Sequence, residues 1–217
     1  MDLTERRLSR KTIYEGKILH IYRDDVLLPN GRTSVREVAD HPGGVAIVAL
    51  DENDNVLTVK QYRYVFSRVL EEIPAGKLER GEDPREAAIR ELKEETGAAS
   101  ARMTDLGALL VSPGCYGEVL HLFLAKGLKF SEQHLDPDEF LNVERVPFDE
   151  MVHRCMNGEI DDAKTVAAVL RAKDSVMETV TTVRENAEDI YADAKAINQQ
   201  RAQQEADAVI EDASEAE

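Results

Sequence analysis

Residues 76–98 read GKLERGEDPREAAIRELKEETGA and hold the pattern on which the fold prediction depends. Glu94 and Glu95 follow Glu91 by three and four positions, which places the three carboxylates on one face of an α-helix. Like charges at this spacing each cost a helix roughly 0.2–0.5 kcal/mol. A hard divalent cation, which takes oxygen ligands, would offset that repulsion. The alternative is an acidic face exposed to water, the usual position of a charge run.

The same stretch contains the signals that begin and end a helix, and they predict one over residues 84–96. Asp83 suits the N-cap, Pro84 suits the first helical position, and Glu86 follows the cap by three residues. Gly97 suits the position just after the last turn.

The predicted helix has two distinct faces when its residues are spaced at about 100°. The face predicted to meet the core carries Ile89, Leu92 and Thr96. The face predicted to meet a cleft carries Ala87 and the three glutamates. Arg90 lies four positions before Glu94, where it can orient that carboxylate.

This segment resembles the Nudix box, in which a glycine, five residues, a glutamate and seven residues precede the run Arg-Glu-apolar-x-Glu-Glu-x-Gly-apolar. Every fixed position of that pattern is present, at Gly76, Glu82, Arg90, Glu91, Leu92, Glu94, Glu95 and Gly97. Ala98, in the last apolar position, is smaller than usual.

Features outside the box are similar to the ADP-ribose pyrophosphatase branch of that family. They are KQYRY (60–64), EIPAGKLERGE (72–82), SPG (112–114), LDPDEF (135–140) and GEIDDAKT (158–165). The resemblance implies hydrolysis of ADP-ribose to AMP and ribose 5-phosphate with Mg²⁺, Mn²⁺ being the alternative cation. It also implies an α/β fold: a Nudix-type α/β/α sandwich with a mixed sheet, preceded by an N-terminal β-hairpin and followed by a long C-terminal helix.

The resemblance further implies which residues hold metal and which act in catalysis. Glu91 and Glu95 would hold the metal directly, Glu94 directly or through water, and the main-chain carbonyl of Ala75 would be an additional ligand. Glu94 and Arg90 would act in catalysis together with a general base on a later loop. The base maps best to Glu139, with Asp136 and Asp138 as open alternatives; all three could instead lie on a solvated loop.

Five residues are candidate substrate contacts: Arg63, Arg36, Tyr22, Pro113 and Gly114. By the resemblance, Arg63 matches a family arginine that contacts the phosphate or ribose region, and Arg36 is a weaker match of the same kind. Tyr22 is a candidate for stacking on adenine. The alternatives are surface positions for the two arginines and ordinary packing for the tyrosine.

Composition restricts the class of partner. The net charge of −16 argues against sequence-independent binding to nucleic acid or to an anionic membrane surface. No stretch of about 18 apolar residues occurs, so we expect no membrane span. The N-terminus lacks an apolar run, and Cys115 and Cys155 are too few for a disulfide framework, so we expect a cytoplasmic protein with free thiols.

Three regions are predicted along the chain: an N-terminal hairpin for dimerisation over 1–40, a Nudix hydrolase domain over 41–171, and an acidic tail over 172–217. The hairpin flanks the turn Pro29-Asn30-Gly31-Arg32. In the tail, apolar residues from Val176 to Ile197 repeat with heptad spacing. The tail holds twelve acidic and four basic side chains, a net charge of −8, so disorder is the alternative to a long helix.

The family resemblance favours a homodimer that binds a nucleoside diphosphate sugar, and two rival functions stay open. One is hydrolysis of another nucleoside diphosphate sugar or a dinucleotide, because the box fixes pyrophosphate chemistry and not the attached group. The other is a non-catalytic nucleotide-sensing module, which is disfavoured because such proteins tend to lose box glutamates and this chain retains them.

If the heptad of the tail adds a contact between two copies of the chain, removal of residues 172–217 will lower the association constant of the dimer. Light scattering over a concentration series, on the full chain and the shortened chain, measures that constant. An unchanged association constant would contradict a role of the tail in dimerisation.

Overall fold

The computed structural model of the chain describes residues 2–79 and 81–176. By internal packing the chain divides into two units, Met1–Ala172 and Lys173–Glu217. Residues 173–176, the described part of the second unit, are helical. The rest of the predicted heptad lies outside the described residues. Within the described residues no helix is long and apolar enough to cross a membrane.

The described part of the first unit consists mainly of β-strands, with few helices. In the described residues the strands are β1 (Arg6–Glu15), β2 (His20–Leu27), β3 (Thr33–Asp40), β4 (Gly44–Ala49), β5 (Asn55–Arg63), β6 (Arg68–Glu72), β7 (Ala75–Lys77), β8 (Ala98–Ser112), β9 (Tyr116–Phe130) and β10 (Leu141–Pro147). The helices are α1 (Pro84–Thr96), α2 (Phe148–Asn157) and α3, which occupies 163–172 in this unit, with a 3-10 turn at Tyr64–Phe66.

Two sheets organise these strands. The larger has the order β1-β2-β3-β9-β4-β7, and β8 pairs with β9. Strand β9 runs parallel to β3 and β4 but antiparallel to β8, so this sheet is mixed. The smaller sheet, β10-β5-β6, is antiparallel. The predicted α/β fold with a mixed sheet is confirmed.

The predicted N-terminal hairpin corresponds to β2 and β3, which pair from His20↔Asp40 to Leu27↔Thr33. The structure adds β1, which pairs antiparallel with β2 and was not predicted. Every residue of β1 is exposed. Because neither face of β1 is buried, its sequence lacks the alternation of apolar and polar residues by which strands are recognised.

The core of the domain lies where α1 packs on the larger sheet. All of β4 is buried, as expected for a strand covered on both faces. The apolar cluster takes residues from β4, β5, α1, β8 and β9: Val45, Ile47, Ala49, Leu57, Ala87, Ala88, Leu92, Ala98, Met103, Phe123 and Ala125. This packing fixes α1 against the strands that border the box loop.

Helix α1 has the predicted bounds and caps. The Asp83 side chain accepts hydrogen bonds from the backbone N–H groups of Arg85 and Glu86, and Pro84 is the first helical residue. Gly97 ends the helix with φ 69°, in the left-handed region that favours glycine.

The predicted core face of α1 was partly wrong. Ile89 is 39% exposed, whereas Ala87, which was assigned to the cleft side, is fully buried. The buried residues of the helix are Ala87, Ala88, Leu92, Glu95 and Thr96. At 100° per residue this arc is centred near Glu95, roughly a quarter turn from the predicted centre. Glu95, one of the carboxylates of the box, therefore lies on the buried side of the helix.

Substitutions on the two sides of α1 will differ in cost. Leu92→Ala removes a fully buried side chain and will lower the free energy of unfolding by about 2–5 kcal/mol. Ile89→Ala, at the exposed edge, will lower it by less than about 1 kcal/mol. Urea denaturation measures both values. Equal losses would show that Ile89 belongs to the core.

Candidate functional site

Gly76 of β7 faces the Glu91 side chain of α1. A Cβ placed on Gly76 would lie 1.8 Å from Glu91 Cδ and 2.0 Å from Glu91 Oε1. No side chain fits at that distance, so the glycine lets the Glu91 carboxylate lie directly against the strand backbone. The first fixed position of the box is therefore a steric requirement of its second glutamate.

Arg90 joins three carboxylates with one guanidinium. Its Nη1 donates to Glu91 Oε1 at 2.8 Å and to Glu94 Oε2 at 3.0 Å, which confirms the predicted contact with Glu94. Its Nε and Nη2 donate to both oxygens of Glu82, at 2.9 and 3.0 Å. The hydrogen bonds to Glu82, and then those to Glu91 and Glu94, raise the pKa of Arg90 further above its ordinary value. Glu82, whose role the sequence did not show, thus anchors the arginine that orients two glutamates.

Glu95 is only 2% exposed, and its Oε2 accepts a hydrogen bond of 2.9 Å from the backbone N–H of Ala75. Burial raises the pKa of Glu95 to about 8, and the charges of Glu139 and Glu91 add to the effect. Burial also raises the pKa of Glu91. Negative charge at this site is therefore poorly compensated by the protein alone.

The loop after β9 is attached to the C-terminal end of α1. Ser131 N–H donates to the Gly97 carbonyl at 2.8 Å, and His134 N–H donates to the Glu94 carbonyl at 3.1 Å. The Gln133 side-chain amide also donates to the Glu95 carbonyl. These bonds hold the segment that carries the three candidate loop acids next to the box helix.

Glu139 differs from the other two loop acids in its burial and in its electrostatic effect on the box. Its charge raises the pKa of both Glu91 and Glu95. It is half-buried, whereas Asp136 and Asp138 are exposed. The charge of Glu139 therefore acts on two box glutamates, and its role as general base stays a prediction.

The donor set of the box suits a hard divalent cation. In each of the three box carboxylates, one oxygen accepts a hydrogen bond from Arg90 or from Ala75 N–H. The second oxygen accepts none from the described residues; these second oxygens are Glu91 Oε2, Glu94 Oε1 and Glu95 Oε1. Carboxylate oxygens are the ligands that Mg²⁺ and Mn²⁺ prefer. Within residues 2–79 and 81–176, however, no three His, Cys, Asp or Glu side chains already converge at metal-binding distance. The carboxylates would have to converge on a cation. Ala75 takes part through its N–H, and its carbonyl as a ligand stays a prediction.

Arg63 lies at the end of β5, and one edge of its guanidinium already binds a carboxylate. Its Nε and Nη2 donate to the two oxygens of Glu72 at 2.6 and 2.8 Å. Its charge also acts on Glu95, so it lies near the box. Glu72 in turn contacts Lys164. Glu72 and Lys164 were not singled out from the sequence, although EIPAGKLERGE and GEIDDAKT contain them.

Tyr22 lines a cavity of about 460 Å³ between the N-terminal strands and the loop that leads to α1. The lining residues are Lys17, Ile18, His20, Tyr22, Asp40, His41, Pro42, Leu78 and Gly81. The Arg10 guanidinium lies 4.1 Å from the centre of the Tyr22 ring. Arg36, by contrast, contacts Glu5 and donates to Ser34 and Val35 on its own strand.

Pro113 and Gly114 lie in the exposed turn between β8 and β9. A Cβ on Gly114 would meet nothing within 4 Å, so the turn itself does not require glycine there. The next residue, Cys115, accepts a hydrogen bond of 2.8 Å from Ala39 N–H at the end of β3. The turn therefore lies beside the strand end that also borders the cavity.

Sequence reasoning missed a buried polar group at the same strand end. His41 Nδ1 lies 3.7 Å from Glu118 Oε1, and its ring packs 5.5 Å from the ring of Tyr116. Burial lowers the pKa of His41, which favours the neutral imidazole. Isolated His and Glu residues in β-rich sequence carry no spacing signal that would have identified them.

Three protein-family models match the chain. The NUDIX domain model matches residues 40–169, and the nucleoside diphosphate sugar hydrolase N-terminal domain model matches residues 5–39. Residues 159–217 match a family of unknown function.

Individual relatives cover most of the chain. It is 41% identical over 170 residues to the ADP-ribose pyrophosphatase of Bacillus subtilis (strain 168), a match that covers 77% of this chain and 92% of the relative. It is 43% identical over 167 residues to the methanol dehydrogenase activator of Bacillus methanolicus, covering 76% and 90%. It is 38% identical over 167 residues to the ADP-ribose pyrophosphatase of Mycobacterium tuberculosis (strain ATCC 25618 / H37Rv), covering 75% and 80%.

A crystal structure of an ADP compounds hydrolase has the same fold, with a TM-score of 0.73. The match covers 82% of this chain and 98% of the other at 22% sequence identity. At that identity the likeness concerns the fold alone.

Gly76→Ala will displace the Glu91 carboxylate and weaken the binding of Mn²⁺, because the added Cβ cannot occupy the space that Glu91 fills. Titration calorimetry with Mn²⁺ measures the change. Gly158→Ala is the matched control: its positive φ of 83° makes the substitution strained, but a Cβ there meets nothing within 4 Å. The control will lose stability and keep its Mn²⁺ affinity. Equal Mn²⁺ affinity in Gly76→Ala and the wild type would contradict the assignment.

Proposed function

Because the chain belongs to the Nudix family, we propose that it hydrolyses the pyrophosphate bond of ADP-ribose to AMP and ribose 5-phosphate, with Mg²⁺ or alternatively Mn²⁺ as cofactor. The observation that carries the proposal is the free oxygen on each of Glu91, Glu94 and Glu95, beside the glycine strand that makes room for them. The relatives named as ADP-ribose pyrophosphatases support the choice of substrate.

The residues of the box have separate tasks. Arg90 fixes the orientation of Glu91 and Glu94, and the Ala75 N–H fixes that of Glu95. A divalent cation bound there would neutralise charge on the pyrophosphate and lower the pKa of the attacking water. The protein supplies the geometry that brings the carboxylate oxygens to one place.

Glu139 is the general base of the proposed reaction. Its carboxylate takes a proton from the water that attacks one phosphorus, the bond from that phosphorus to the bridging oxygen breaks, and the other phosphate leaves with the bridging oxygen. Attachment of its loop to the last turn of α1 keeps this base close to the box.

The cavity beside Tyr22 is the proposed site of the nucleoside. Its volume of about 460 Å³ lies within the range of small-molecule sites. Tyr22 lines this cavity, and its ring, which Arg10 contacts on one face, is the proposed stacking partner of an adenine ring. Arg36, Pro113 and Gly114 remain candidate contacts to the rest of the substrate.

The N-terminal strands are the proposed dimer contact. Strand β1 exposes three large apolar side chains to solvent: Leu8, Ile13 and Tyr14. Exposed apolar patches are typical of interaction surfaces. A second copy of the chain would cover them, in agreement with the dimerisation predicted for residues 1–40.

A second candidate function follows from the 43% identity to a methanol dehydrogenase activator. In that case the chain would raise the rate of a methanol dehydrogenase. Adding the protein to a methanol dehydrogenase reaction measures this directly, with a box-glutamate variant showing whether the effect needs hydrolysis.

The enzymatic proposal is tested with ADP-ribose, other nucleoside diphosphate sugars and NADH, in the presence of Mg²⁺. The wild type will convert ADP-ribose to AMP and ribose 5-phosphate faster than the others, and Glu95→Gln will lower kcat by at least about 100-fold. Glu86→Gln is the matched control, since Glu86 is exposed on the same helix, and it will keep wild-type kinetics. Full activity of Glu95→Gln would refute the role of the box, and no turnover of any substrate would favour a nucleotide-sensing module.

A further inference from the structure

Glu72 is a buried carboxylate outside the box, and its partners come from distant parts of the chain. Its side chain is 1% exposed and accepts two hydrogen bonds from Arg63. Its Oε2 also contacts Lys164 Nζ, 92 positions later. Lys164 donates in addition to Asp162 Oδ1 at 3.0 Å. The contacts thus form a chain in which negative and positive charges alternate, in the order Asp162, Lys164, Glu72 and Arg63.

Asp162 is itself fixed by the start of α3. Its Oδ2 accepts the backbone N–H of Thr165 at 3.0 Å and the Thr165 hydroxyl at 2.6 Å. The same hydroxyl oxygen accepts the N–H of Ile73, the residue after Glu72, at 3.0 Å. Two separate links therefore hold the end of β6 to the start of α3.

The bond to Glu72 leaves one edge of the Arg63 guanidinium open. Glu72 takes the Nε–Nη2 edge, and Nη1 donates to no described residue. The Arg63 side chain is 38% exposed, and its charge acts on Glu95 of the box. A guanidinium held along one edge presents its other edge for bidentate contact with phosphate oxygens.

Lys164 makes it possible for Arg63 to share its charge. A buried carboxylate needs a compensating positive charge, and removal of its partner is strongly unfavourable. If Arg63 were the sole partner of Glu72, engagement of the arginine by a phosphate would leave Glu72 partly uncompensated. With Lys164 on the same carboxylate, Glu72 stays paired while Arg63 binds an anion.

We propose that Glu72, Lys164 and Asp162 are positioning residues that hold Arg63 for the pyrophosphate of the substrate, an inference that rests on the proposed function. A purely structural ion pair would affect stability and leave substrate binding unchanged. The network would affect KM for the substrate, because Arg63 contacts it in the ground state and in the transition state alike.

The residue that precedes Glu72 in β6 offers a matched control for the network. Glu71 is also on β6, with a side chain 11% exposed, and Arg154 binds it at 3.2 and 2.8 Å. Successive residues of a strand point to opposite faces, so Glu71 lies on the other side of β6 from Glu72. Glu71→Gln breaks an ion pair of the same kind without contact to Arg63.

The test is a double-mutant cycle on kcat and KM for ADP-ribose. Glu72→Gln and Asp162→Asn will each raise KM, Glu72→Gln by about tenfold or more, whereas Glu71→Gln will change only the melting temperature. Lys164→Met will also raise KM, and Lys164→Arg will restore it.

In an Arg63→Ala background, Glu72→Gln will change kcat/KM by less than about twofold, because the arginine through which it acts is gone. Independent, multiplicative effects of Arg63→Ala and Glu72→Gln would overturn the proposal, as would an unchanged KM in Asp162→Asn and Lys164→Met.

Titration calorimetry with ADP distinguishes failure of this inference from failure of the proposed function. It measures the Kd of ADP for the wild type, Glu72→Gln, Arg63→Ala and the double variant, and it does not depend on hydrolysis. If the wild type hydrolyses ADP-ribose and Glu72→Gln has the same KM as the wild type, the positioning role of the network is refuted and the proposed function is not. A wild type that does not hydrolyse ADP-ribose sinks the proposed function. In that event the network stands only if Glu72→Gln weakens ADP binding in the wild type and not in Arg63→Ala.

Discussion

The burial of like charges on α1 is the constraint on which the site depends. Glu91, Glu94 and Glu95 occupy one side of the helix, and Glu95 lies at the centre of its buried arc. Burial, and then repulsion between neighbouring carboxylates, raises the pKa of Glu91 and of Glu95. The protein supplies Arg90 for two of them and a single backbone N–H for the third. A divalent cation would complete the compensation.

Several features of the fold follow from that constraint. Gly76 clears space for a carboxylate, Glu82 anchors the arginine that orients it, and the loop after β9 is bonded to the last turn of α1. The apolar contacts of α1 with β4 and β8 make these distances reproducible, because a packed core resists displacement. The helix thus has one side in the core and one in the site, and Glu95 belongs to both.

Local features were predictable from sequence and long-range pairings were not. The bounds of α1 follow from Asp83, Pro84 and Gly97, since capping involves neighbours in the chain. The exposed strand β1 escaped detection because burial imposes no pattern on it. The partnership of Glu72 with Lys164 joins residues 92 positions apart, and no spacing rule connects such positions. The family resemblance supplied the roles of Arg63 and Glu139, and the structure supplied their surroundings.

Diffraction data recorded at the manganese absorption edge, from crystals grown with Mn²⁺, will show where the protein binds the cation. We expect an anomalous peak bounded by carboxylate oxygens of Glu91, Glu94 and Glu95, with Arg90 still bonded to Glu91 Oε1 and Glu94 Oε2. A peak elsewhere, or none at this site at a Mn²⁺ concentration that supports turnover, would contradict it.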